Sequence, residues 1–150
     1  MISSRLANFE DSMEILLWRN DPVTRKSFFN NSLIKREEHE DWFQKIMNSN
    51  NSILIIIFNR KDKIGVVRFD AVNSETFVSI NTNPKFRKMG FASKMLLESE
   101  KYLSSNKLLP NIIVAEIIKT NLSSIKVFKK AKYKLESELD EYFIYKKEIK

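Results

Sequence analysis

The sequence predicts a single α/β domain over residues 1–150, with a mixed sheet of six to seven strands and about four flanking helices. Short apolar segments of strand length alternate with longer amphipathic segments of helical spacing. Three of the strand segments follow one another closely, with polar turns between them, as in an antiparallel meander. Because 43% of the 150 residues are hydrophobic and no linker or repeat divides them, one core is expected.

The N-terminal third predicts one strand and two helices. Residues 2–6 form a short strand, and Asp11 or Ser12 caps a first helix that ends before a proline. An ordered loop over residues 23–34 leads to a second helix over residues 36–47. The residues predicted to face inward are Met13, Leu16 and Leu17 in the first helix and Trp42, Phe43, Ile46 and Met47 in the second.

The remainder of the chain predicts the rest of the sheet. Residues 53–58, 64–70 and 75–82 form the three strands of the meander. The later predicted elements are a helix over residues 90–103, a very apolar central strand over 111–118, a helix starting at Asn121, and a closing hairpin of residues 133–135 and 142–147.

Composition excludes several classes of chemistry. The chain has no cysteine, so disulfides, thiolate zinc sites and a cysteine nucleophile are excluded. Its single histidine, His39, rules out a multi-histidine metal site, and no metal is predicted. Two glycines, Gly65 and Gly90, are too few for a Walker-type or G-x-G-x-x-G loop. The longest apolar run is too short to span a bilayer and the N-terminus lacks a signal pattern, so we expect a cytoplasmic location and no membrane partner.

The stretch over residues 83–92 joins the third meander strand to a helix. A helix N-terminus presents unpaired N–H groups and a positive dipole end, which favour a bound phosphate. Arg87 and Lys88 add positive charge there, and Gly90 permits close backbone approach. The net charge of +7 also suits an anionic partner. The stretch therefore predicts an anion site, with an ordinary strand–helix connection carrying surface cations as the alternative.

Two motifs lie on either side of the apolar strand. Arg87-Lys88-Met89-Gly90-Phe91-Ala92 follows the meander, and Asn121-Leu122-Ser123-Ser124 begins the last helix, with Phe128 and Lys130-Ala131-Lys132-Tyr133 behind it. These segments and the order of elements resemble the GNAT family of acyl-CoA N-acyltransferases. Its signatures are Q/R-x-x-G-x-G/A, and N-x-x-A/S followed by an aromatic residue and a K-x-G-F-like ending. The resemblance covers nearly the whole chain and implies a GNAT-like fold and an enzyme that uses acetyl-CoA as co-substrate.

The resemblance also implies how acetyl-CoA is held. Backbone amides between Lys88 and Ala92 would bind the pyrophosphate, the edge of the preceding strand would pair with the pantetheine arm, and Asn121 would touch the same arm. The implied cofactor-binding residues are Ile80, Asn81, Thr82, Arg87, Lys88, Met89, Gly90, Phe91, Ala92, Asn121 and Phe128.

The chain departs from the family pattern at two positions. Phe128 stands where a tyrosine is often proposed to protonate the departing thiolate, so that role falls to water or to another hydroxyl such as Ser124. Lys132 stands at the usual glycine, which alters only the end of the helix. The first departure makes a non-catalytic acetyl-CoA-binding protein an alternative of another class.

Amine acetylation also needs a base to accept a proton. Glu116 is the candidate, because it shares a face of the most apolar strand with Ile112 and Val114, where an unpaired carboxylate would be costly. In the structural alternative, Glu116 lies exposed at the strand's end or pairs with a lysine. The predicted catalytic residues are Glu116 and Ser124.

The N-terminal half carries the resemblance that bears on the acceptor. Leu17-Trp18-Arg19-Asn20-Asp21-Pro22, and Glu37-Glu38-His39 with Trp42-Phe43 after it, resemble a GNAT subgroup that includes sugar-nucleotide N-acetyltransferases of the pseudaminic-acid pathway. Ribosomal-protein N-terminal and spermidine acetyltransferases share similar segments, so a protein N-terminus or a polyamine is the alternative acceptor. The predicted substrate-binding residues are Arg19, Asn20, Phe29, His39 and Trp42.

Each of these residues has a structural alternative. His39 can be a satisfied core histidine, Arg19 can pair with Asp21, and the aromatic side chains can simply be core. The expected partner is a small-molecule amine, possibly nucleotide-linked, bound by a monomer or homodimer. A basic nucleic-acid-binding module is disfavoured, because the lysines near the last helix lack interleaved exposed aromatic residues and a groove-reading motif.

Overall fold

Seven strands form one mixed sheet in the computed structural model, which describes residues 1–28 and 31–150. The strand order across the sheet is β1-β2-β3-β4-β5-β7-β6. The predicted α/β fold class is therefore confirmed. The strands are β1 Ile2–Leu6, β2 Ser52–Asn59, β3 Asp62–Val72, β4 Glu75–Thr82, β5 Ile112–Ile118, β6 Lys134–Glu138 and β7 Tyr142–Glu148. The helices are α1 Ser12–Arg19, α2 Pro22–Arg25, α3 Arg36–Met47, α4 Phe91–Asn106 and α5 Leu122–Lys130.

The two faces of the sheet carry separate apolar clusters, because side chains alternate between the faces along each strand. One cluster joins the sheet to α4 and α5, and the other joins it to α1 and α3. The largest members of the first cluster include Ile55, Phe69, Met95, Leu96 and Ile113, and those of the second include Ile15, Trp18, Phe43 and Ile56.

In the part of the chain that the structure describes, no helix is long and apolar enough to cross a bilayer.

The predicted inward face of α1 is confirmed for Leu16 and wrong for Met13 and Leu17. Ile15, Leu16 and Trp18 are buried, whereas Met13 and Leu17 are exposed. Ile15 and Trp18, three residues apart, pack in the same cluster as α3. Met13 and Leu17, which are four residues apart, therefore lie on the side of α1 that faces away from this cluster. Both stripes have helical spacing, and only the packing of α3 selects between them.

The predicted loop over residues 23–34 also contains the short helix α2. The Asp21 side chain accepts hydrogen bonds from the N–H groups of Val23 and Thr24, both at 3.1 Å, and caps α2. Pro22 occupies the first turn, where its missing N–H costs nothing. The Asp-Pro pair that ends α1 therefore also starts the next helix.

Strands β4 and β5 separate along their length. They pair in parallel only at Thr76–Ile113 and Phe77–Val114 among the described residues, whereas β4 pairs with β3 along its whole length. The C-terminal half of β4 therefore presents its other edge to an opening in the sheet. Openings of this kind at the carboxyl ends of parallel strands are where α/β sheets bind ligands.

Two buried carboxylates fix the ends of the fold. Asp11 is almost fully buried and accepts hydrogen bonds from Arg5 at 2.7 and 3.0 Å and from Lys63 at 3.0 Å. Burial raises the pKa of Asp11, but the bonds from Arg5, the Asn8 N–H and Lys63 outweigh this effect and lower it to about 2. These bonds tie β1 to the start of β3.

Glu100 on α4 accepts hydrogen bonds from Tyr133 at 2.8 Å and from Lys147 at 2.6 Å. Burial raises the pKa of Glu100, and the two donors offset this only in part. Burial and the adjacent Glu100 also raise the pKa of Tyr133, which therefore stays protonated. This network holds the C-terminal hairpin against α4.

Candidate active site

A cleft of about 410 Å³ lies between the C-terminal end of β4 and the first turns of α4 and α5. Its walls include most of the residues predicted to bind acetyl-CoA. The lining residues among those predicted are Ile80, Asn81, Thr82, Arg87, Lys88, Gly90, Phe91, Ala92, Asn121 and Ser124. Met89 is 60% exposed and is not among the lining residues, so only its neighbours face the cleft.

The start of α4 is suited to an anion. Gly90 has φ +77° and begins the helix without a side-chain cap, and the first turn contains no acidic residue. A Cβ built on Gly90 meets nothing within 4 Å, so open space lies beside the backbone there. The unpaired N–H groups of the first turn therefore remain available to a ligand. Lys126 and Lys130 of α5 add positive charge to the same cleft.

Arg87 is held by the N-cap and the first turn of α2. Its guanidinium bonds to the Asp21 carboxylate and donates to Thr24 Oγ1 at 2.8 Å. The structure therefore places Arg87 beside the cleft with a carboxylate already bound to it. The sequence gives no hint of this pair, because 66 residues separate its members.

A second cleft of about 230 Å³ lies where β4 and β5 separate. Glu116, Asn121, Ser124 and Phe128 all line it, so the structure brings the predicted catalytic residues together. The prediction that Glu116 is buried is wrong, because the residue is exposed at the mouth of this cleft. The Ile113, Ala115 and Ile117 face of β5 packs in the core, and Glu116 lies on the opposite face.

The two polar side chains at the start of α5 have different surroundings. Asn121 caps the helix, since its Oδ1 accepts hydrogen bonds from the Ser124 N–H and the Ser123 hydroxyl, both at 3.2 Å. Ser124 lines both clefts, one turn before Phe128 on the same helix. The hydroxyl of Ser124 is thus close in sequence and in space to the phenylalanine that replaces the usual tyrosine.

Phe128 is buried and forms an edge-to-face contact with Tyr133, with ring centroids 4.9 Å apart. The hydroxyl of Tyr133 does not replace the missing one, because it donates to Glu100 inside the core. Its raised pKa likewise keeps its proton in place. Neither Phe128 nor Tyr133 therefore offers a hydroxyl proton to the clefts.

A third cavity, of about 470 Å³, lies on the α1–α3 face of the sheet. Two guanidinium groups flank one ring there: Arg19 Cζ lies 4.1 Å and Arg68 Cζ lies 5.2 Å from the centroid of Trp42. Arg68 Nε lies 2.8 Å from Asp70 Oδ2, whereas no carboxylate in the described chain pairs with Arg19. Burial and then the charge of Arg68 lower the pKa of Arg19 to about 10, which leaves it charged at neutral pH. The cavity therefore holds one guanidinium without a carboxylate partner, Arg19, beside the Arg68–Asp70 ion pair and the exposed Glu38.

His39 and Asn20 support this cavity from behind without lining it. Fully buried His39 accepts a hydrogen bond from Arg19 on Nδ1 at 3.2 Å, which leaves Nε2–H to donate to the Ser12 carbonyl at 2.8 Å. Burial and the charge of Arg19 lower the pKa of His39, so the neutral ring is favoured. Asn20 bonds both backbone groups of Ile34, at 2.7 and 2.8 Å. The predicted substrate residue Phe29 lies outside the described residues.

The sequence matches the family model described as "Acetyltransferase (GNAT) domain" over residues 5–134. The chain belongs to the GNAT family of acetyltransferases. The prediction of an acetyltransferase enzyme is thereby confirmed. No match was found among curated protein sequences.

Many solved structures share this fold, and three of them are described below. A domain from Methanocaldococcus jannaschii is 23% identical with a TM-score of 0.84, and the match covers 99% of each chain. Spermidine N-acetyltransferase from Vibrio cholerae, in complex with CoA and spermine, is 16% identical with a TM-score of 0.82 over 97% of this chain and 92% of that one. The Campylobacter jejuni N-acetyltransferase PseH, in complex with acetyl coenzyme A, is 18% identical with a TM-score of 0.75 over 99% of each chain.

The residues of this GNAT domain fit a ligand with phosphates and an extended arm. The uncapped start of α4 suits the phosphates, and the free edge of β4 offers backbone groups to the arm. Within residues 1–28 and 31–150, no three side chains of metal-binding type lie close enough to hold an ion.

Sequence reasoning missed Arg68, Asp70 and Ser27 as residues of the candidate site. Arg68 and Asp70 lie two residues apart on β3, so the alternation of a strand predicts that their side chains share a face. Alternation alone does not assign them a function. Phe28 lines all three cavities, and Ser27 lines two of them. Nothing in the local sequence marks Ser27, because its place beside the two clefts follows from how the chain folds after α2.

Proposed function

We propose that the protein transfers the acetyl group of acetyl-CoA to the primary amine of an anionic acceptor, best matched by a nucleotide-linked amino sugar. The acetyltransferase class follows from the family. The acceptor is proposed from one observation, the two arginines that flank Trp42 in the third cavity.

The charge of this cavity selects among the acceptors that the sequence left open. Arg19 has no carboxylate partner in the described chain, so an incoming phosphate or carboxylate gains a charge-assisted hydrogen bond there. A polyamine would carry several positive charges to the same two guanidinium groups. Their repulsion disfavours it, since the Glu38 carboxylate that also lines the cavity is exposed and screened by solvent. Trp42, flat and partly buried, offers a surface on which a planar base can stack.

The chain's own groups suit the transfer. Acetyl-CoA supplies an activated thioester, and the start of α4 with the edge of β4 would hold and orient it. A backbone N–H in the segment over residues 80–82 would stabilise charge on the reacting carbonyl oxygen. Glu116 accepts the amine proton through water from its exposed position, since Asp70 is occupied by Arg68 and by Ser52, which donates to it at 2.6 Å. Ser124 or water protonates the thiolate.

The test is a thiol-release screen with acetyl-CoA against UDP-linked amino sugars, N-terminal peptides and polyamines. We expect the fastest release with an amino sugar that carries phosphate. The variant Arg19→Met keeps an apolar stem on Trp42 but removes the charge, and it should raise the KM for that acceptor at least tenfold. Arg36→Met, at an exposed position on α3, is the matched control and should leave KM unchanged. Fastest release with a polyamine would overturn the anionic acceptor.

A second function is favoured by Phe128 alone. A protein with no fixed acid beside the thiolate can bind acetyl-CoA without turning it over, and the hydroxyl of Tyr133 is committed to Glu100. Saturable acetyl-CoA binding with no thiol release above the uncatalysed rate, across all three acceptor classes, would favour this binding protein over the enzyme.

A further inference from the structure

The side chain of Asn81 is buried without a hydrogen-bond partner. The residue is only 7% exposed, and neither Oδ1 nor Nδ2 has a partner in the described chain. Buried amide groups in native proteins are nearly always bonded, so an amide with both its donor and its acceptor free needs an explanation. Asn81 lines the cofactor cleft and also the third cavity, so the free amide lies where the two meet.

The described residues around Asn81 offer its side chain no hydrogen-bond partner. Its neighbour across the β3–β4 ladder is Val66, an apolar residue of the α1–α3 cluster. By the alternation of the strand, the Asn81 side chain projects towards the α1–α3 face, away from the α4 face that holds Val78 and Ile80. A ligand that enters the cavity on this face is therefore the available partner.

We propose that the Asn81 side chain holds the acceptor amine, with Oδ1 accepting one amine N–H and Nδ2 donating to a neighbouring oxygen of the acceptor. This inference rests on the proposed function and names a residue that orients its nucleophile. It differs from the predicted role of Asn81, in which the backbone of the strand edge pairs with the pantetheine arm. Asn81 would thus contact both substrates. Its backbone lies on the strand edge at the first cleft, and its side-chain amide lies on the face of the sheet that carries the third cavity.

The chemistry of the cavity calls for such an acceptor. Arg19 and Arg68 only donate hydrogen bonds, so neither can bond an amine through its N–H groups. Of the other polar lining residues, Ser32, Glu38 and Ser79 are exposed, which leaves Asn81 as the buried acceptor among the described residues. The two nearby positive charges also lower the pKa of a bound amine, which favours the neutral nucleophile that Asn81 Oδ1 would orient.

In the transfer, the amine lone pair forms the new C–N bond as the thioester C–S bond breaks. One amine proton leaves for the base and the sulfur gains one proton, so charge and atoms balance. Asn81 neither takes nor gives a proton. Its contribution is to hold the lone pair towards the carbonyl carbon, and misalignment of such a group typically costs about 100-fold in rate.

The test compares Asn81→Leu and Asn81→Asp with Asn111→Leu, an exposed control outside the cavities. We expect Asn81→Leu to raise the Tm of the ligand-free protein by about 2–4 °C, because the free polar atoms are gone. The same variant should keep the acetyl-CoA-induced Tm shift and lose about 100-fold in kcat/KM for the acceptor. Asn81→Asp keeps the acceptor oxygens, and its kcat/KM should lie well above that of Asn81→Leu.

Each other outcome overturns the proposal in a distinct way. A higher Tm for Asn81→Leu with unchanged kcat/KM would mean that the amide bonds water only. Loss of the acetyl-CoA shift in Asn81→Leu would assign the side chain to the cofactor. If Asn81→Leu does not fold, Asn81→Asp decides. Thiol release by Asn81→Asp at no more than the uncatalysed rate would then refute the role of the oxygen. A wild-type protein that releases no thiol with any amine would refute the proposed function itself, together with this inference.

Discussion

Gly90 offers the sharpest test of where the cofactor phosphates bind. The residue begins α4 with φ +77°, a conformation that costs a side-chain-bearing residue about 1–2 kcal/mol. A new Cβ meets nothing within 4 Å, so Gly90→Ala should lose about 1 kcal/mol of stability through backbone strain alone, with no clash. For a chain of 150 residues this loss corresponds to about 2–4 °C in Tm.

The ligand effect is larger than this strain. Acetyl-CoA at 100 times its Kd should stabilise the wild-type protein by about 2.7 kcal/mol, or roughly 5–11 °C in Tm. Gly90→Glu carries the same strain as Gly90→Ala but places a carboxylate at the positive end of α4, where the phosphates would lie. We expect Gly90→Glu to lose the ligand-induced shift and Gly90→Ala to retain a measurable one.

Thermal unfolding with and without acetyl-CoA measures all three proteins. Without ligand, Gly90→Glu should unfold no lower than Gly90→Ala, because its carboxylate is favourable at the helix N-terminus, so loss of the ligand-induced shift in Gly90→Glu reports binding and not strain. A full ligand-induced shift in Gly90→Glu would show that the phosphates are not held at the start of α4. No shift in the wild-type protein at saturating acetyl-CoA would refute the assignment of the cleft to this ligand.

Three further predictions concern catalysis, charge and packing. Glu116→Gln should lower turnover at least tenfold and leave the acetyl-CoA Tm shift intact, since Glu116 is exposed at the second cleft; unchanged turnover would remove it as the base. Asp11→Asn should cost about 2 kcal/mol at neutral pH, because the folded pKa is about 2 against 3.8 for the free group. Urea unfolding measures this difference in unfolding free energy between the wild-type protein and Asp11→Asn. It should be complete above pH 3.8 and shrink as the pH falls towards 2, and the exposed control Asp41→Asn should not show it. Gly65→Ala should cost more than Gly90→Ala, because its Cβ would lie 2.5 Å from the Asn81 carbonyl oxygen and 2.3 Å from Met95 Cε; equal unfolding temperatures would contradict this.

Local patterns in the sequence were sufficient for the strands and the longer helices, but not for the short helix α2. The alternation of apolar residues predicted the meander, and the closing hairpin followed from two short strands separated by an acidic turn. The start of α4 was also predicted correctly, because a glycine between a strand and an amphipathic segment marks a helix N-terminus locally.

Features that depend on distant residues were not predictable in this way. The inward face of α1 depends on α3, and the exposure of Glu116 depends on which face of β5 meets α4 and α5. Arg68 and Trp42 come together only because β3 and α3 pack on the same face of the sheet. Periodicity states which residues share a face, and the rest of the fold decides what that face meets.

The bond between Arg87 and Asp21 links the two halves of the site thermodynamically. Arg87 belongs to the loop that leads into α4, and Asp21 caps the helix that leads to Phe28, whose ring lines all three cavities. If a bound phosphate breaks the ion pair between Arg87 and Asp21, the Asp21 cap of α2 changes. The position of Phe28 in the wall of the third cavity then changes with it. Linkage then requires that the acceptor alter acetyl-CoA affinity by the same factor as acetyl-CoA alters acceptor affinity. A single partly buried ion pair thereby makes the coupling between the affinities of the two substrates a measurable property of this fold.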